Sequence, residues 1–165
     1  MFHVVLIEPE IPQNAGNIAR TCAATGCTLH LVKPLGFEIS DKYLRRAGLD
    51  YWHLVSVVVH ENAEAFFAAC PQDARFQFFT TKARRAYTEA EFREGDYLVF
   101  GKETRGLDEE LLVKHPEECV RIPMREAARS LNLSNSVAVA VYEGLRQNAF
   151  EGLSERGELH RLHWE

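Results

Sequence analysis

Apolar residues along the chain fall into short runs parted by polar turns. Phe2-His3-Val4-Val5-Leu6-Ile7 reads as a buried strand, ended by Pro9 and Pro12. From about Asn14 to Thr25 the spacing becomes helical. Ala15, Ile18, Ala19 and Cys22 form the apolar face, Gln13, Asn17 and Arg20 share the opposite one, and Gly26 stands where the helix must stop. Further strands are expected over Leu29–Val32, Leu54–Val59, Arg75–Thr80 and Asp96–Phe100, with a short β piece over Cys119–Pro123. Helices are expected over Asp41–Ala47, Glu61–Ala69 and Leu107–His115, and an apolar helix includes Val137–Leu145. Strands alternating with helices predict an α/β fold, a mostly parallel sheet with helices on both faces. Ligands in such sheets sit beyond the carboxyl ends of the strands, which singles out the loops Thr80–Lys82, Gly101–Gly106 and Ile122–Ser136. Residues 1–150 read as one domain, and residues 151–165 as a polar peripheral tail.

The stretch from Arg121 to Arg146 organises the rest. In its last helix Val137, Ala138, Val141 and Leu145 fill one face, while Val139 and Tyr142 lie on a neighbouring one. A helix apolar on more than one side is buried on more than one side. A sheet covers only one of them, so a second subunit is expected on the other, and the commonest oligomer is a two-fold homodimer. The loop before the helix holds Ser130, Asn132, Ser134, Asn135 and Ser136. One such residue is enough to cap a helix. Two readings remain open: an elaborate cap and turn, or a loop that grips an anion or polar small molecule at the positive end of the helix.

Composition narrows the class. The chain of 165 residues is 46% hydrophobic and 26% charged, ordinary for one soluble domain. No apolar run approaches the ~20 residues of a membrane span, and no basic and apolar leader opens the sequence, so a cytoplasmic location is expected. Cys22, Cys27, Cys70 and Cys119 form no CxxC pair and read as reduced core residues. The histidines are scattered, His160 and His163 in the tail are a weak metal signal, and no metal is expected. A net charge of -5 gives no global sign of nucleic acid. The basic residues nevertheless cluster as Lys42, Arg45 and Arg46, then Lys82, Arg84 and Arg85, then Arg121, Arg125 and Arg129. Each cluster is either a solvated face or a local phosphate-contacting surface.

Standard phosphate and hydrolase signatures are missing: no GxGxxG follows the first strand, and there is no P-loop, GxSxG elbow or HExxH. What remains is a loop-built pocket of backbone donors and glycines with apolar walls at Phe79, Ile122, Met124 and Leu131, suited to a nucleoside with a polar tail. Three blocks resemble the SPOUT-class RNA ribose methyltransferases: Asn14-Ala15-Gly16-Asn17-Ile18-Ala19-Arg20, Leu98 through Leu107, and Arg121-Ile122-Pro123-Met124 with Ser130 through Ser136. Glu8 through Pro12 and Leu44 through Tyr51 narrow the likeness to the small branch that 2′-O-methylates the wobble nucleotide of certain leucine tRNAs. The resemblance runs from residue 2 to 150 without large gaps. Lys102 departs from it, since that branch usually carries proline there.

That resemblance implies S-adenosylmethionine as methyl donor, tRNA as substrate, a homodimer and a C-terminal trefoil knot, a feature that general rules of chain topology would not predict. It assigns the cofactor to Phe79, Gly101, Glu103, Ile122, Met124, Ser130, Leu131 and Ser136, with Gly101 letting the chain come close to the ligand. Glu103 serves either the cofactor or a loop arginine such as Arg105. The catalytic neighbourhood falls on Arg20, ordered by Asn14 and Asn17. A guanidinium stays protonated, so Arg20 reads as a clamp on phosphate or developing alkoxide rather than a base. Arg45, Arg46, Lys82, Arg84, Arg85 and Tyr142 are expected to face the RNA. The competing readings are a catalytically silent RNA-binding module, a nucleotide-binding regulatory domain, or a methyltransferase of the same class acting on another RNA.

Overall fold

A computed structural model describes residues 1–39 and 52–165. The helix expected over 41–47, and with it Lys42, Arg45 and Arg46, lies outside the described residues. The described elements are β1 (His3–Ile7), α1 (Pro12–Thr25), β2 (Thr28–Val32), β3 (Val57–His60), α2 (Ala63–Ala69), β4 (Phe76–Phe79), β5 (Tyr97–Phe100), α3 (Glu109–Leu112), β6 (Cys119–Val120) and α4 (Leu133–Gln147), with 3-10 turns at Trp52–Leu54 and Tyr87–Glu89.

The six strands form one sheet in the order β3-β2-β1-β5-β4-β6, and every pairing is parallel. Successive side chains of a strand point to opposite faces. Val4 and Leu6 of β1, Leu29 and Leu31 of β2, and Leu98 and Phe100 of β5 therefore meet one set of helices. There they pack on Ile18, Ala19 and Cys22 of α1 and Val137, Val141 and Leu145 of α4. Val5, Val32, Phe78 and Val99 point the other way, onto Phe66 of α2 and Leu112 of α3. Helices thus cover both faces. Burial on both sides explains why these strands read as continuous apolar runs rather than alternating ones.

Most element ends have local causes. Pro12 opens α1, where its missing N–H costs nothing, and Gly26 closes it with φ of 74°. Asn62 caps α2, its side-chain oxygen accepting the Ala65 N–H at 2.7 Å. Three expectations shift. Residues expected to begin the β3 strand at Leu54 instead close a 3-10 turn, and the strand starts at Val57. α3 is four residues long rather than the expected Leu107–His115, because the amides of Lys114 and His115 bond to the carbonyls three residues back, of Leu111 and Leu112, as in a tighter turn. α4 begins at Leu133, before the apolar run, because Asn132 caps it. All four cysteines are free; Cys22, Cys27 and Cys119 are buried as core residues, whereas Cys70 is half-buried. Past Gln147 there is no helix or strand, and residues 154–165 are exposed. Among the described residues no helix is long and apolar enough to cross a membrane, and no group of three His, Cys, Asp or Glu side chains is placed to hold a metal.

Histidines that look scattered in the sequence are brought together by register. His3, His30 and His60 lie on β1, β2 and β3 and point to the same face. His3 Nδ1 lies 2.9 Å from His30 Nε2, and His30 Nδ1 lies 3.0 Å from His60 Nε2. Tyr97 stacks on His3 at 4.3 Å, and Phe66 covers the other two rings edge-on. Burial, reinforced by the two neighbouring imidazoles, lowers His30 to about 4, and burial lowers His3 and His60 as well. A base whose folded value lies below its unfolded one contributes its full stability above pH 6.5 and loses it as pH falls toward 4, because the unfolded chain takes up the proton first. For His30 alone, urea unfolding is expected to lose about 2 kcal/mol between pH 7.5 and 5. A His30→Phe variant should show a shallower acid limb; an equal limb would mean that the ladder does not titrate in this way.

Candidate active site at the carboxyl ends of the strands

The loops that follow β4, β5 and β6 converge on a cleft of about 520 Å³. Phe79, Gly101, Glu103, Ile122, Met124, Ser130, Leu131 and Ser136 all line it, and so do Asn14 and Lys82. Phe79 stacks on Phe100 at 4.7 Å, giving the cleft a flat aromatic floor made by adjacent strands.

The loop after β5 is a tight hairpin. The Gly106 N–H donates to the Lys102 carbonyl at 2.8 Å. A Cβ placed on Gly101 would lie 2.1 to 2.4 Å from the backbone of Gly106 and Leu107. Gly101 is therefore required by the hairpin's own closure. This is a second reason for glycine at the position, beside the expected room for a ligand.

Glu103, which lines the cleft, also fastens the start of α1. Its carboxylate accepts the Glu10 N–H at 2.8 Å, the Ile11 N–H at 3.0 Å and the Asn14 amide at 3.2 Å. Ile11 sits at the N-cap of α1 and offers no side-chain cap, so Glu103 supplies the missing acceptor from far along the chain. A carboxylate at that end is also favoured by the helix dipole. The grip is reciprocal: the Glu10 carboxylate accepts the Thr104 N–H at 3.2 Å and its hydroxyl at 3.0 Å. Lys102 pairs with Glu8, whose carboxylate holds the ammonium above the usual lysine value.

The third loop joins the same network. Asn132 caps α4 by accepting the Ser134 and Asn135 N–H groups at 2.9 and 3.3 Å, while its own amide donates to Asn14 Oδ1 at 3.0 Å. The Ser134 hydroxyl donates to Asn132 Oδ1 and the Ser136 hydroxyl to the Asn132 carbonyl. Much of the Ser and Asn surplus is thus spent on the cap, while Ser130 and Ser136 still border the cleft. Asn14 links two loops of the cleft to α1. Asn132 belongs to the Ser- and Asn-rich loop that the sequence marks as a cap or a grip, whereas Glu10 and Thr104 carry no assigned role in the sequence. Asn132 carried a signal, being an Asn at the position an N-cap requires, whereas the Glu10–Thr104 pairing joins distant segments and leaves no local pattern.

Arg20 stands on the exposed face of α1 with Gln13 and Asn17, as the periodicity indicates. The cleft reaches α1 only through Asn14, and Arg20 lies about 9 Å further along the helix axis. Within one chain Arg20 and Asn17 are not part of the cleft wall. Of the residues expected to face RNA, Lys82 borders the cleft and pairs with Glu109 at 3.0 Å, and Arg84 is exposed. Arg85 is half-buried, and its guanidinium donates to the Glu117 carbonyl at 2.6 Å, so it fastens the loop after β4 to the approach of β6. Tyr142 is exposed on α4, and Arg45 and Arg46 lie outside the described residues.

Known proteins with the same features can be set beside this geometry. The SpoU rRNA Methylase family matches residues 1–142. A tRNA (cytidine(34)-2'-O)-methyltransferase from Burkholderia cenocepacia is 53% identical over 154 residues, covering 92% of this chain and 99% of that protein. A solved structure described as "Structural insights into the 2-OH methylation of C/U34 on tRNA" is 52% identical with a TM-score of 0.88, covering 92% of this chain and 98% of the other. The fold is also that of an AdoMet-bound rRNA methyltransferase from Sinorhizobium meliloti, at 24% identity and a TM-score of 0.78 over 88% of this chain and 56% of the other. Parallel sheet, cleft and motif-bearing loops therefore have one explanation: the chain is a methyltransferase and belongs to the SpoU rRNA methylase family.

Proposed function

We propose that the protein is an S-adenosylmethionine-dependent methyltransferase that 2′-O-methylates the ribose of the wobble nucleotide, a cytidine or modified uridine at the first anticodon position, in leucine tRNAs. The observation that carries this reading is the cleft, in which the three motif loops meet at the carboxyl ends of adjacent parallel strands. Its volume falls in the range of small-molecule sites. Phe79, Ile122, Met124 and Leu131 offer apolar walls for a purine and a thioether chain, and the loop backbones offer polar contacts, so the residues present fit the cofactor. The named activity of the Burkholderia cenocepacia relative supports the position and the sugar hydroxyl. The choice of leucine tRNAs rests on the motif resemblance alone.

S-adenosylmethionine supplies an electrophilic methyl group on a sulfonium. The protein's share is to hold a ribose hydroxyl in line with it and to stabilise the alkoxide that develops. Arg20 does the latter as a permanently charged clamp, and Asn14 docks its helix on two cleft loops. Because Arg20 is outside the cleft of its own chain, the working site is completed across a homodimer, with the C-terminal segment threaded as the trefoil knot of this class. Val139 and Tyr142, 37% and 49% exposed on the side of α4 turned from the core, supply the dimer face. Tyr142→Glu would force a charge into that face at a cost of several kcal/mol. Light scattering at low micromolar concentration should then show monomer, and an undisturbed dimer would move the interface elsewhere.

The reading is tested by incubating the protein with total tRNA and labelled cofactor, then digesting to nucleosides. Label in 2′-O-methylated nucleosides is the expected result. Tight tRNA binding without transfer would favour the silent RNA-binding module instead.

A further inference from the structure

Lys102 stands at the neck of the hairpin and borders two cavities, the large cleft and a smaller one of about 120 Å³ behind it, where Glu8 also lies. Its ammonium is held by the Glu8 carboxylate, and the two side chains are only 23% and 32% exposed. Glu8 follows β1 and Lys102 lies just past β5, the neighbouring strand, so the pair ties together two strand ends. Glu8 adopts φ of 53°, in the left-handed region that glycine occupies at less cost. A non-glycine residue kept at such a position is a reason to ask what its side chain does. Here the side chain reaches Lys102, one of the cations in the wall of the cleft with Lys82, Arg105 and Arg129.

We propose that Glu8 is a specificity-determining positioning residue, which neutralises Lys102 and draws its ammonium out of the cleft so that the cleft accepts a cationic ligand. The proposal rests on the reading of the cleft as the S-adenosylmethionine site. Its sulfonium is positive, whereas the sulfur of the product, S-adenosylhomocysteine, is a neutral thioether. An unpaired ammonium in the same wall would repel the first and hardly affect the second. The contrast between the two ligands is the signature of charge, because a hairpin that was merely loosened would weaken both alike. Lys102 thereby gains a defined role at a motif position where the resemblance fails: the cation is tolerated because Glu8 accompanies it.

The test is isothermal calorimetry with S-adenosylmethionine and S-adenosylhomocysteine on the full-length wild type, Glu8→Gln, Lys102→Met and the double variant. Glu8→Gln should weaken S-adenosylmethionine about tenfold, the scale of one screened unit charge at close range, and S-adenosylhomocysteine less than about twofold. The double variant should return to within about threefold of wild type, because its ammonium is gone. Glu8→Gly takes the same φ without strain and should reproduce the selective loss if Glu8→Gln folds poorly. Equal weakening of both ligands, no weakening of either, or a double variant as poor as Glu8→Gln would overturn the proposal. A wild type that binds neither ligand would instead overturn the reading of the cleft, which keeps the two failures apart.

Discussion

Arg20→Ala is expected to lower turnover at saturating tRNA by about 100- to 1,000-fold while leaving cofactor affinity unchanged. Arg20 lies on the exposed side of α1 and is not among the residues lining the cleft, which meets that helix at Asn14. Removing it takes nothing from the ligand pocket of its own chain. Removing a charge that stabilises the developing alkoxide affects the transition state far more than the ground state, so kcat falls with little change in binding. Arg84→Ala should behave in the opposite way. Its exposed guanidinium offers phosphate affinity, so the tRNA concentration for half-maximal rate should rise and its salt dependence flatten, with turnover kept. Mixed dimers sharpen the comparison. If each site draws Arg20 from the opposite chain, an Arg20→Ala chain paired with a cleft-defective chain retains one intact combination and regains activity. Near wild-type turnover for Arg20→Ala at saturating tRNA would reduce Arg20 to part of the docking surface.

Gly101→Ala should abolish cofactor binding, by at least about 100-fold, with far-UV circular dichroism close to native. The added Cβ meets backbone atoms of Gly106 and Leu107 at 2.1 to 2.4 Å, far inside van der Waals contact, and backbone cannot swing away as a side chain can. The hairpin must open, which breaks the Gly106–Lys102 bond and lifts Glu103 from the start of α1. Uncapped amides there cost about 1–3 kcal/mol, so a fall of a few degrees in melting temperature should accompany the lost binding. A variant that binds normally would show that the hairpin is not a wall of the ligand site. This expectation differs from one based on ligand clash, in which stability would be untouched.

The fold was largely readable because a parallel sheet covered on both faces leaves unbroken apolar strands such as Val4-Val5-Leu6 and Tyr97-Leu98-Val99-Phe100, set between helices with amphipathic spacing. Boundaries were less clear where local hydrogen bonding prevails over hydrophobic pattern, as at Trp52–Leu54 and after α3. At the site, residue types indicated which loops matter, and all eight residues assigned to the cofactor border the cleft. Their duties could not be read in the same way. Gly101 and Glu103 act on their own chain, one closing a hairpin and the other capping a helix, through contacts that only the folded arrangement creates. Arg85 illustrates the same limit: it belongs to a basic cluster by sequence, yet its guanidinium holds the Glu117 carbonyl. The histidine ladder leaves no signal along the chain because strand register, not sequence spacing, aligns His3, His30 and His60.

The central claim is that the methyl group goes to the ribose hydroxyl of the wobble nucleotide. It is tested most directly with two leucine tRNAs that differ at one oxygen, one carrying cytidine at the first anticodon position and the other its 2′-deoxy counterpart. Each is incubated with the wild-type protein and labelled S-adenosylmethionine, and transfer is measured per tRNA. Close to one methyl per molecule is expected on the first and none on the second, with both tRNAs bound equally well. Equal labelling of the two would contradict it, since the methyl would then be landing on another atom.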